Sequence, residues 1–154
     1  MWKIIIIGFL GGMLILACNI VISKIIQYCF NYDIKSETNF IHAKKQKVTI
    51  NVTNKKLWPV YLLFIILEEY LYRFMLMKYL NQLCSSLALS ILISTVVFTF
   101  VHIHYKYKMI QVFIMGLILC GTYIMSDSIV SPIISHSINN FIVIYFLKDD
   151  EKKY

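Results

Sequence analysis

Tyr61-Leu62-Leu63-Phe64-Ile65-Ile66-Leu67-Glu68-Glu69-Tyr70-Leu71-Tyr72-Arg73-Phe74-Met75-Leu76-Met77 sets three ionisable side chains inside a long apolar run. Arg73 is the only arginine in the 154 residues; every other cationic side chain is a lysine. An ionised side chain near a bilayer centre costs roughly 2.5–3.5 kcal/mol by insertion scales. Three of them in one span form either a structural ion cluster or a reactive site. Glu69 and Arg73 are four residues apart, so on a helix they share a face and can pair. Glu68 is turned about 100° from Glu69 and is free to point elsewhere.

The rest of the chain makes the bilayer its solvent. Hydrophobic residues make up 59% and charged residues 15%, whereas a soluble domain is about 45–50% apolar and about 25% charged. The net charge of +7 is carried by lysines that flank apolar segments, so it reads as a topology and anionic-lipid signal. With one arginine and no arginine–aromatic patch, no nucleic-acid partner is expected. Cys18, Cys29, Cys84 and Cys120 form no CxxC or Cys/His cluster and read as small buried hydrophobes. The richness in Ile, Lys and Asn fits an AT-rich bacterial genome.

Five apolar segments are candidates to cross about 30 Å of hydrocarbon: Ile4 to Ser23, Leu57 to Leu80, Leu83 to His104, Met109 to Met125, and Ile129 to Leu147. Trp58-Pro59 opens the second, and Ser131-Pro132 resembles an N-cap and first turn for the fifth. Ile15-Leu16-Ala17-Cys18 resembles a lipoprotein signal, but Asn19 to Phe30 stays apolar, which favours an uncleaved span. In the polar stretch from Asn31 to Lys56, Val48, Ile50 and Val52 alternate as in a short strand or interfacial segment. The expected fold is an all-α polytopic transmembrane helix bundle of about five spans. Residues 1–56 form the first span and a basic loop, 57–147 the main bundle, and 148–154 a charged tail. Twelve of the fourteen lysines fall in the first loop, the turn after the third span and the tail. That places the N-terminus outside and the C-terminus in the cytoplasm of a bacterial cell membrane.

Two more spans carry polar groups. The third ends Phe98-Thr99-Phe100-Val101-His102-Ile103-His104, and the fifth carries His136-Ser137-Ile138-Asn139-Asn140. Phe98 and His102 are i, i+4, as are His136 and Asn140, so each pair projects from one helix face. In lipid such groups turn inward and meet. A carboxylate and two imidazoles in a desolvated cavity are the parts of a general-base site, with Glu68 the base and an imidazole holding the same water. Asn140 supplies an amide donor for a developing oxyanion. Lys106 puts His102 near the cytoplasmic side, with Glu68 and His136 deeper in their spans. His104 and His42 read as interfacial and solvent-facing, and Asn139 as a helix-packing group. Glu69 and Arg73 read as a supporting brace.

Glu68-Glu69-x-x-x-Arg73, Phe98-x-x-x-His102 and His136-x-x-x-Asn140, in that order on three helices, resemble the CPBP family. Its members are the CAAX proteases and bacteriocin-processing proteins, also called type II CAAX prenyl endopeptidase-like or Abi proteins. The resemblance implies an intramembrane glutamate protease: Glu68 and His102 activate water, His136 and Asn140 stabilise the oxyanion, and Glu69 and Arg73 support them. No cofactor and no metal are expected, since the motifs lack HExxH spacing. The expected partners are a peptide or membrane-protein substrate and the lipid bilayer. Family members commonly have more spans than five, and a homodimer is one way to complete the cavity. The competing readings are a non-catalytic bacteriocin self-immunity or membrane regulatory protein, and a small proton or ion translocator.

Overall fold

The computed structural model describes residues 1–30, 58–102 and 109–149. The alternation at Val48, Ile50 and Val52, His42, His104, the first-loop lysines from Lys35 to Lys56, Lys106, Lys108, and the tail's Lys152 and Lys153 lie outside them. Among the described residues the fold is all-helical, with five helices. Helix α1 is Trp2–Phe30. Helix α2 runs unbroken through an α-helical part Trp58–Glu69, a π-helical part Tyr70–Leu76 and an α-helical part Met77–Cys84. Helix α3 is Leu87–Val101, α4 is Met109–Ser126 and α5 is Val130–Asp149.

Among the described residues, two helices are both long and apolar enough to cross a membrane, over Trp2–Ile26 and Met109–Ser126; Leu87–Val101 is apolar but shorter. Polarity is turned inside out. The fully buried side chains include Glu69, Arg73, Ser90, Ser94, Thr95, Ser131 and Ser135, while Phe9, Leu10, Leu63, Phe64 and Phe100 face outward. In water that arrangement leaves large apolar areas exposed for no gain. In lipid there is no hydrophobic drive between helices, and packing and interhelical hydrogen bonds take over.

Two helix boundaries differ from the expected ones. Leu83 belongs to α2, and α3 starts only at Leu87. Between them Ser85 adopts a left-handed φ of 49°, and Ser86 caps α3 by accepting the Leu89 N–H at 3.4 Å. Ser131 is not the cap of α5. Ser128 Oγ accepts the Val130 N–H at 3.3 Å, and the Ser131 hydroxyl donates to the Ile4 carbonyl of α1 at 2.8 Å. Pro132 still falls in the first helical turn, where its missing N–H leaves no hydrogen bond unmade. Of the cysteines, Cys120 is buried as expected, but Cys84 is exposed and Cys18 half-buried.

Helix α1 lies against α5 and α4. Small residues allow the approach: Ser135 Oγ donates to the Gly8 carbonyl at 2.7 Å. A Cβ at Gly11 would stand 2.4 Å from Thr122 Cγ2 and 2.6 Å from Ser135 Oγ. Neither can swing aside. The Thr122 hydroxyl is held by the Leu119 carbonyl and Ser135 by Gly8 and Ser131. The core beside this seam is Ile15, Phe98, Met115 and Leu119. We therefore expect Gly11→Ala to destabilise the protein by about 1–3 kcal/mol, the usual cost of overpacking, while Gly121→Ala, with open space at its Cβ, leaves the melting temperature in detergent near that of the wild type.

Candidate active site

The two glutamates diverge as the helical offset requires. Glu69 is fully buried and Glu68 keeps 33% of its side chain exposed. Glu69 Oε2 stands 3.2 Å from Arg73 Nε, off the hydrogen-bond axis, so the contact is an ion pair rather than a directed bond. The Arg73 guanidinium also lies 4.3 Å from the Phe98 ring centroid, a second source of compensation for its buried charge. Glu69 Oε1 is 2.7 Å from His136 Nδ1. A carboxylate only accepts, so His136 Nδ1 carries a proton and donates it there.

Arg73 sits in the π-helical part of α2. The Tyr72 carbonyl accepts the Met77 N–H, five residues on, as a π-helical turn requires. The same carbonyl also accepts the Ser94 hydroxyl of α3 at 2.8 Å. The buried face of α3 thus secures the irregular turn that carries Arg73.

His102 closes α3 as its C-cap. Its Nδ1 lies 2.8 Å from the Phe98 carbonyl. A carbonyl accepts only, so Nδ1–H donates and a neutral ring turns the Nε2 lone pair outward. That Nε2 is 3.7 Å from Glu68 Oε1, and His136 Nε2 is 3.9 Å from Glu68 Oε2. Both distances are too long for a direct hydrogen bond and suit a shared water or reacting group. Phe98 packs against both imidazoles, tilted against His102 at 4.5 Å and edge-on to His136 at 6.3 Å between centroids.

Glu68, His102, His136, Glu69 and Arg73 therefore meet at one place, drawn from three helices. His102 stands beside Glu68 rather than offset from it along the bundle, because α3 ends at Val101 and brings its last turn to the carboxylate. Asn140 lies one turn beyond His136 on α5, half-buried, its carbonyl accepting from Asn139 Nδ2 at 3.3 Å. Asn139 is buried and bonds to Asn19 of α1 at 2.9 Å. Helical spacing pairs Glu69 with Arg73 but does not reveal its second partner, His136. Nor does it single out Asn19, whose signal is an amide in an otherwise apolar span. Among the described residues no group of three His, Cys, Asp or Glu side chains is arranged to hold a metal ion.

Residues 54–142, more than half of the chain and all three motif helices, match the model of the type II CAAX prenyl endopeptidase Rce1-like family. The chain belongs to that family. No match is found among curated proteins or among solved structures. The matched range contains the residues that converge: Glu68 and Glu69 on α2, His102 after α3 and His136 on α5.

Glu69→Ala leaves Arg73 buried without its carboxylate, and breaking a buried pair costs about 3–5 kcal/mol. A large drop in melting temperature is expected, and the double variant Glu69→Leu with Arg73→Met should recover much of it. An unperturbed melting curve for Glu69→Ala would contradict the ion-pair assignment.

Proposed function

We propose that this chain is an intramembrane endopeptidase of the glutamic type. The observation that carries the reading is the position of Glu68, partly exposed, between two imidazole Nε2 atoms at 3.7 and 3.9 Å. Glu68 takes a proton from water as the water oxygen adds to the substrate carbonyl carbon. His102, with Nδ1–H committed to Phe98, offers its Nε2 lone pair to the same water. The oxyanion that forms accepts hydrogen bonds from the Asn140 amide and from His136. When His136 donates from Nε2 as well as Nδ1, its ring carries a charge that the Glu69 carboxylate balances. Collapse of the tetrahedral intermediate breaks the C–N bond, and the proton held by Glu68 passes to the leaving amine.

Glu69 and Arg73 act as the brace: fully buried, they have no room to touch a substrate. All five helices cross the membrane of a bacterial cell in this reading, with the N-terminus outside and the C-terminus in the cytoplasm. The outward apolar side chains of α1, α2 and α3 support it. The substrate is a peptide or membrane protein with an apolar stretch, and the family name makes a prenylated CAAX tail one substrate to try.

The test uses the purified chain in detergent with internally quenched apolar peptides, one of them ending in a farnesylated CAAX sequence. Wild type should cleave at least one. Glu68→Gln should lower the rate about 10²–10⁴-fold, the range for a general base, with the melting temperature nearly unchanged because Glu68 is partly exposed. Cleavage that persists in Glu68→Gln would overturn the assignment, and peptide binding without cleavage by wild type would favour a non-catalytic immunity or regulatory role.

A further inference from the structure

Asn140 is the donor in the reading above, and its usefulness depends on which end of its amide faces the cavity. Its carbonyl oxygen accepts from Asn139 Nδ2 at 3.3 Å. Asn139 in turn accepts at its own carbonyl from Asn19 Nδ2 at 2.9 Å. The direction of this chain is set by a third contact. Asn139 Nδ2 lies 3.6 Å from Met115 Sδ, and a thioether offers only lone pairs. The NH₂ end of Asn139 must therefore face Met115 and Asn140, and its carbonyl must face α1. Asn19 meets that carbonyl with its NH₂. Turning any one amide over would set two carbonyls, or two NH₂ groups, against each other.

We infer that Asn19 of α1 is a positioning residue for the oxyanion site: through Asn139, itself oriented by Met115, it holds the Asn140 carbonyl inward and leaves the Asn140 NH₂ free to donate. The inference rests on the proposed proteolytic role of Asn140. It brings into the site a helix that lies outside residues 54–142, the part that matches the family. The relay is anchored at its far end. Gln111 Nε2 of α4 donates to the backbone carbonyl of Asn19 at 3.0 Å and to Ser23 Oγ at 2.7 Å, which fixes the height of α1 against the bundle. Asn139 is 6% exposed, so no bulk water is at hand to replace a lost partner, and a change at Asn19 must pass to Asn140.

Asn19→Asp tests this with almost no change of shape. At a pH that ionises it, a carboxylate at that place only accepts, so Asn139 turns its NH₂ toward it, and Asn140 follows, presenting its carbonyl to the oxyanion. With the quenched peptides above, kcat should fall about 100-fold, the scale of losing one oxyanion donor, and KM should stay within about twofold. The decisive readout is coupling. Asn19→Asp combined with Asn140→Ala should be no slower than Asn140→Ala alone, since the first change acts only through the second. Met115→Leu, which conserves volume but removes the sulfur acceptor, should lower kcat several-fold in the same direction and serves if Asn19→Asp fails to fold. In parallel, ¹⁵N-asparagine NMR in micelles should show the Asn140 side-chain amide signals displaced in both variants. Additive losses in the double variant, or Asn140 amide signals that do not move, would overturn the relay. Should wild type cleave no peptide, the proteolytic reading fails, and the Asn140 signals alone then decide whether the amides are coupled.

Discussion

A carboxylate with no exposure, Glu69, is the constraint on which the rest depends. A charge removed from water must find partners inside the protein or revert to its neutral form. Glu69 finds two, one on its own helix and one on α5. Because Arg73 and His136 both have to reach it, α2 and α5 are held in one register. Because Arg73 lies over Phe98, α3 is held there too. His102, one turn from Phe98 and tied to its carbonyl, then arrives opposite Glu68. Burying one glutamate thus arranges the surroundings of its neighbour, and the neighbour keeps the exposure that chemistry needs.

The sequence made much of this legible. Lipid as solvent follows from composition, and the helical offset between Glu68 and Glu69 separates a partly exposed carboxylate from a buried one. The pairs Phe98/His102 and His136/Asn140 follow from i, i+4 spacing. What stayed hidden depends on contacts between helices or on local irregularity. Nothing in Tyr70-Leu71-Tyr72-Arg73 announces a π-helical turn; its support is a hydroxyl on another helix, Ser94. The bond from His136 to Glu69 requires the angle at which α5 meets α2, which periodicity does not contain. Ser131 has the sequence context of a cap, yet its hydroxyl is taken by the Ile4 carbonyl because α1 comes within reach, and Ser128 takes the capping role.

Helix α1, outside the family-matched part, is tied to it by close contacts and hydrogen bonds. Gly8 and Gly11 admit α5 and α4 at short distance, and Asn19 meets the amide beside Asn140. The serines and amides along this seam do what apolar packing does in water: they give the helices a reason to associate in a solvent as apolar as their own side chains. The same polar groups that hold the bundle together also orient Asn139, which donates to Asn140. Stability and positioning are therefore served by one set of contacts, with Asn139 common to both.

The central claim is that the Glu68 site adds water directly to a peptide carbonyl, with no acyl-enzyme between. Mass spectrometry of peptide fragments formed in a single turnover in ¹⁸O-water tests it most directly, with enzyme in excess over the quenched peptide. One ¹⁸O should appear in the new terminal carboxylate from the first turnover, with no mass increase on the protein at any time. A covalent peptide adduct on the chain, or cleavage of the same kind by the Glu68→Gln variant, would contradict the account.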